Sequence, residues 1–166
     1  MSNETPLPMR NKIMIICALL VCLQLSAQTG VPPPDKRMFD KAVACIKEFE
    51  GWHGNHLPYV GYGHKILPGE RLSSNMTREQ ADSLLRADLL KLYRMCSRFG
   101  KDALLVATLS YNVGYGKIPK SRLIQKLESG DRDIYQEYVS FRCYKGKVVP
   151  SIERRRKKEF ELLYIQ

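Results

Sequence analysis

Glu50 closes an apolar-periodic stretch and is followed at once by Gly51. The residues that come next, Trp52-His53-Gly54-Asn55-His56-Leu57-Pro58-Tyr59-Val60-Gly61-Tyr62-Gly63-His64, hold all three histidines of the chain, its only tryptophan, two tyrosines and three further glycines. A carboxyl group beside aromatic and glycine-rich chain is the equipment of a general acid: a proton donor, a partly dry wall, and backbone that lets a substrate come close. Two effects would favour the protonated form of Glu50, the negative end of the helix dipole and cover from Trp52 or Tyr62. An arginine reaching it from the run Arg154 to Lys158 would favour the carboxylate instead. By default that run is a solvated helix face.

His53, His56 and His64 raise the question of a metal, since imidazole is a common zinc ligand, but their spacing fits no strong zinc signature. No metal and no cofactor are expected. His64 is expected to hold the glycine-rich turn by hydrogen bonds to backbone. Further on, Tyr111-Asn112 sits at a helix end beside glycine, either as a plain helix end or as an aromatic ring and an amide able to offer ring contact and hydrogen bonds to a ligand.

The elements that must position these residues read as mostly helical. Phe39, Ala42, Val43, Ile46 and Phe49 fall at helical spacing, so one amphipathic helix runs from Asp35 or Lys36 to Glu50, with Gly51 as its stop. Tyr59-Val60-Gly61-Tyr62-Gly63 favours a short strand excursion. Thr77-Arg78-Glu79-Gln80 is a capping-box start for a helix to about Phe99. Asp102 is expected to cap a third helix through Asn112, apolar on nearly every side and therefore the central one. Shorter helices follow from Ser121 to Leu127 and from Asp131 or Asp133 to Tyr138. Lys145-Gly146-Lys147 reads as a turn. A last helix opens at Pro150-Ser151, with Ile152, Phe160, Leu163 and Tyr164 inward and Arg154 to Lys158 mostly outward.

The chain has 166 residues and a net charge of +10. That is room for one domain with a real core. Arg10 and Lys12 precede an apolar run from Ile13 to Leu25, then small residues at Ser26 and Ala27, the pattern of a signal peptide cleaved after Ala27 or Gln28. An uncleaved N-terminal anchor is the alternative. Residues 29–35, with Pro32-Pro33-Pro34, read as a stiff linker, leaving residues 36–166 as the folded domain. Outside the cytoplasm so basic a domain should adhere to the polyanionic envelope, and nucleic acid is not the expected partner. Beyond the leader, Cys45, Cys96 and Cys143 are too few and too widely spaced for a disulfide framework. Cys45 reads as a small core residue, and one disulfide stays open.

Taken in order, Glu50-Gly51, Gly61-Tyr62-Gly63-His64, Tyr111-Asn112-Val113-Gly114, Lys120-Ser121, and Arg154-Arg155-Arg156 with Glu159 resemble the phage-type lysozymes of glycoside hydrolase family 24. The register runs from about residue 39 to 164. Pro58-Tyr59-Val60-Gly61-Tyr62-Gly63-His64 looks closest to a lysozyme-like subgroup found in Bacteroidetes. The resemblance implies an α+β fold, mainly α, with a small β lobe and an α-helical lobe flanking a cleft. It implies hydrolysis of the β-1,4 bond between N-acetylmuramic acid and N-acetylglucosamine, with peptidoglycan strands as the partner. Carried over residue by residue, it makes Glu50 the catalytic acid and puts Tyr111, Asn112 and Ser121 along the sugar cleft. Arg155, or its neighbour Arg154, becomes the arginine that pairs with the acid.

One departure stands out. In the family an aspartate and then a threonine follow the glutamate before the glycine-rich run. Here that stretch is shorter, has neither Asp nor a second Glu, and carries Tyr59 at the threonine's place. His53, His56 or Tyr59 would then take the aspartate's role as base or water-orienting group. A lone carboxylate also suits a lytic transglycosylase, in which the muramic 6-hydroxyl attacks instead of water. A non-catalytic peptidoglycan-binding module is the third reading. The domain is expected to act as a monomer and to meet a membrane only through its N-terminal segment.

Overall fold

The computed structural model describes residues 30–53, 57–73 and 75–166. The folded unit spans Pro34–Gln166. Residues 1–29, which hold the expected leader and the first residue of the expected linker, and His56 lie outside the described residues. No helix among the described residues is long and apolar enough to cross a membrane.

Helix α1 (Lys36–Glu50) begins where the Asp35 side chain accepts from Met38 N, and buries Ala42, Val43, Cys45 and Ile46. It stops at Gly51, whose amide donates to Lys47 O and whose φ of 70° suits glycine. The chain then makes a small antiparallel hairpin, β1 (Tyr59–Val60) with β2 (His64–Lys65), in the register Tyr59 to Lys65 and Val60 to His64. The 18-residue helix α2 (Arg78–Met95) carries the full Thr77/Gln80 capping box. It ends short of Phe99, because the chain tightens into a 3-10 turn over Ser97–Asp102 that breaks at Gly100.

Helix α3 (Ala103–Val113) is the centre of the domain, with every residue from Ala103 to Ser110 buried. Its two buried hydroxyls turn back on their own helix, Thr108 Oγ1 to Leu104 O and Ser110 Oγ to Val106 O, so no polar atom of theirs is left unmet in the core. Asp102 does not cap it. Its carboxylate pairs with Arg132 instead, an ion pair stronger than the single bond a cap would offer. Around α3 pack α1, α2 and α6 (Pro150–Leu163). The short helices α4 (Arg122–Glu128) and α5 (Tyr135–Val139) follow α3 in sequence.

Between α5 and α6 the expected simple turn is a second hairpin, β3 (Cys143–Tyr144) with β4 (Lys147–Val148). Its strands are two residues long and exposed, too short to show an alternating pattern. Cys45, Cys96 and Cys143 are free thiols, the first two buried. Helix α6 departs most from expectation. Arg155, Arg156 and Glu159 on it are all buried, although the basic run was expected to face water.

Candidate active site

Glu50 ends α1 where the first hairpin, α3 and α6 converge. From α6, Arg155 Nη1 donates to Glu50 Oε1 at 2.6 Å, and from α3, Asn112 Nδ2 donates to the same oxygen at 3.2 Å. The other oxygen, Oε2, lies against the hairpin turn. A Cβ added at Gly63 would sit 3.2 Å from it. The carboxylate is therefore held on one oxygen by two donors while the other faces bare glycine backbone.

Behind this pair is a buried network. Arg155 Nε donates to Glu159 Oε1 at 2.8 Å, and Arg156 Nη1 donates to Glu159 Oε2 at 2.6 Å. Tyr138 from α5 donates its hydroxyl to Glu159 Oε2 at 2.9 Å, and Arg156 Nη2 donates to Asn112 Oδ1 at 2.6 Å. Glu159 is fully buried and Arg155 only 4% exposed. Such charges survive burial because each is paired and hydrogen-bonded. Burial by itself would make Arg155 easier to deprotonate, but Glu159 and Glu50 outweigh it and hold its pKa above the ordinary value. The Tyr138 phenol is pushed well up, first by burial and then by Glu159.

The geometry chooses between the two arginines. Arg155 meets Glu50, whereas Arg154 is exposed, with its guanidinium 5.8 Å from the Phe49 ring centre. Successive helix residues point about 100° apart, so one of the two must turn away. Glu159, Arg156 and Tyr138 were not singled out as site residues. Their signal was the i+3 and i+4 spacing of Glu159 from the two arginines, masked by the basic residues around it.

The remaining candidates separate. The Tyr111 hydroxyl donates to Tyr62 O at 2.9 Å, and burial raises its pKa above the ordinary tyrosine value. The Ser121 side chain accepts from Ile124 N as the cap of α4. His53 donates its backbone N–H to Gly61 O at 2.9 Å, and its ring centre lies 5.9 Å from that of Tyr59. Tyr59 itself is 42% exposed on β1. Trp52 packs edge-on against Tyr62 at 5.5 Å, beneath the guanidinium of Arg78. The His64 ring is held by side chains rather than by backbone. Its Nδ1 lies 2.6 Å from Asp88 Oδ2 and its Nε2 3.0 Å from Glu70 Oε2. Two carboxylates draw the imidazole more strongly than neutral carbonyls could. No metal-binding cluster forms among the described residues.

The model of the phage lysozyme family matches residues 47–159, which run from the end of α1 through the buried Arg155–Glu159 network. The chain belongs to the phage lysozyme family. Family membership makes it a glycosidase of the muramidase type, acting on peptidoglycan, with a lysozyme-like fold. Among solved structures, the muramidase domain of SpmX from Asticaccaulis excentricus is 25% identical, over 75% of this chain and 95% of that one, with a TM-score of 0.63. The endolysin from Escherichia coli O157:H7 phage FAHEc1 is 22% identical, over 74% of this chain and 90% of that one, at a TM-score of 0.61, a likeness of fold. No curated protein matches the chain. Within the phage lysozyme frame Glu50 stands near the start of the matched region and Arg155 near its end, so the two halves of the site come from opposite ends of the family domain.

Proposed function

We propose that this phage lysozyme family member cleaves peptidoglycan with Glu50 as its general acid, and that Oε2 is the oxygen that carries the proton. The supporting observation is the asymmetry of the carboxylate: among the described residues both hydrogen bonds fall on Oε1, and Oε2 faces Gly63. A donor bound to Oε1 would repel a proton there and leave Oε2 to hold it. Oε2 then protonates the glycosidic oxygen as the bond to the anomeric carbon breaks through an oxocarbenium-like transition state. Arg155 and Asn112 orient the acid. Once the proton has left, Arg155 stabilises the carboxylate that forms.

Glu159 is not a second catalytic carboxylate. It is fully buried, and both its oxygens are bonded to arginine or tyrosine. His53, His56 and Tyr59 are the candidates for guiding the attacking water. A single acid/base carboxylate also suits attack by the muramic 6-hydroxyl, whose proton would pass to the Glu50 carboxylate. The substrate lies outside the cytoplasm, so the N-terminal segment would serve export, and the basic surface would hold the domain to an anionic wall.

The test is Glu50→Gln against wild type on a suspension of purified cell walls, with mass spectrometry of the released fragments. Clearing by wild type and none by the variant supports the acid assignment. An active variant removes it. Reducing ends identify a hydrolase, and anhydro-muropeptides a transglycosylase.

A further inference from the structure

The turn between β1 and β2 is fastened from two directions. From α3, the Tyr111 hydroxyl donates to the carbonyl of Tyr62. From α2, Asp88 grips the ring of His64, which Glu70 also holds from the other ring nitrogen. Gly63, the residue between those two anchors, has a φ of 90° and lies against Glu50 Oε2. Each anchor reaches across a long stretch of sequence to one residue of a three-residue segment. That segment forms the wall against Oε2 of the acid, the oxygen that accepts no hydrogen bond among the described residues.

From this geometry we infer that Tyr111 is a positioning residue for Glu50, acting through Tyr62 and Gly63, and that Asp88 does the same through His64. The inference rests on Glu50 being the acid. The Tyr111 hydroxyl is engaged with backbone, so its work is to fix the turn rather than to bind a sugar hydroxyl. A turn that drifts from Oε2 lets the carboxyl rotate about its last bond. The acid is then misaimed at the glycosidic oxygen, while the groups that bind the glycan are untouched. A misplacement of this kind lowers turnover without weakening substrate binding. Gly63 is required at the contact because a side chain there would press on Oε2 and would strain a backbone with positive φ.

The experiment compares Tyr111→Phe and Asp88→Asn with wild type on a soluble peptidoglycan oligosaccharide, measuring kcat and KM separately at a temperature where melting curves show each variant folded. Tyr111→Phe keeps the ring and removes one hydrogen bond. Asp88→Asn loosens the same turn from the other side. The expected result is a fall in kcat of about tenfold with KM within about twofold of wild type, for both variants. A rise in KM at unchanged kcat for Tyr111→Phe would make it a sugar ligand and overturn the inference. Unchanged values of both constants in the folded variants would overturn it too. Glu50→Gln is run alongside: if it is inactive while the two variants behave as wild type, the positioning inference fails alone, whereas an active Glu50→Gln removes the acid assignment beneath it.

Discussion

Arg155 reaches Glu50 across 105 residues of chain, at 2.6 Å, while holding Glu159 through its Nε at 2.8 Å. One planar guanidinium thus bridges an accessible carboxylate and a buried one. The bridge shares its positive charge, so Glu50 is oriented without the full pull of an unshared arginine. Glu159 in turn is shared with Arg156 and Tyr138, which fixes the whole edge of α6 that faces the acid.

A lysine at position 155 should therefore fail to replace the arginine. Its ammonium is a point charge on a flexible stem and cannot present two fixed donors to Glu50 and Glu159 together. Arg155→Lys is expected to lower turnover roughly 10- to 100-fold. Arg154 is exposed and lies over Phe49, and Arg154→Ala is expected to stay within about twofold. Initial rates on purified walls decide it; equal losses in the two variants would refute the assignment of Arg155 to the acid.

Glu159→Gln should be among the most destabilising single changes in the domain. It leaves Arg155 and Arg156 buried without the carboxylate that neutralises them, a loss of about 3–5 kcal/mol. Tyr138→Phe removes one donor from the same carboxylate and should cost about 1–3 kcal/mol. Urea unfolding followed by circular dichroism would measure both, and the order of the two effects is the critical outcome.

Stability should also carry the signature of His64. Burial lowers its pKa, but the hydrogen bonds its ring makes to Asp88 and Glu70 outweigh that, and the folded value lies above the ordinary one. A raised histidine contributes stability that is fully present below its unfolded pKa of about 6.5 and is lost as pH rises through the folded value. Glu70 works on the acid side. Its pKa is lowered by the Leu67 amide and then by His64, so its share is lost as pH falls below the ordinary carboxylate range. Melting temperature is therefore expected to fall as pH rises above about 6.5. His64→Gln should flatten that slope; a variant that melts with the wild-type pH dependence would assign the effect elsewhere.

The three thiols of the folded domain should react at different rates. Burial pushes Cys45 and Cys96 up to about 11 each, which keeps them protonated at neutral pH. Cys143 is exposed on the second hairpin. A thiol reagent at pH 7.5 is expected to modify Cys143 within minutes and the other two only after denaturant is added. Mass spectrometry of the labelled peptides would show which residue reacted, and early labelling of Cys45 would contradict its place in the core.

Much of the scaffold was legible because its signals are local. The apolar spacing from Phe39 to Phe49 and the glycine that follows set α1, and Thr77 with Gln80 set the start of α2. The misread features depended on distant partners. Asp102 looked like a helix cap until Arg132 arrived beside it. His64 was given to backbone until Asp88 and Glu70 were placed against it. The second hairpin has strands of two residues, which no periodicity can announce.

The sequence by itself determined that an acid ends the first helix, that glycine-rich backbone follows it, and that a central apolar helix closes on Tyr111-Asn112. Those facts rest on propensity and spacing, which act over a few residues. Only the tertiary structure decided that Arg155 rather than Arg154 meets Glu50, that Glu159 is buried among arginines, and that the Tyr111 hydroxyl pins the turn against the acid. A charge or hydroxyl can be buried only where its partner already stands, and those partners come from elements that meet through packing rather than through sequence neighbourhood.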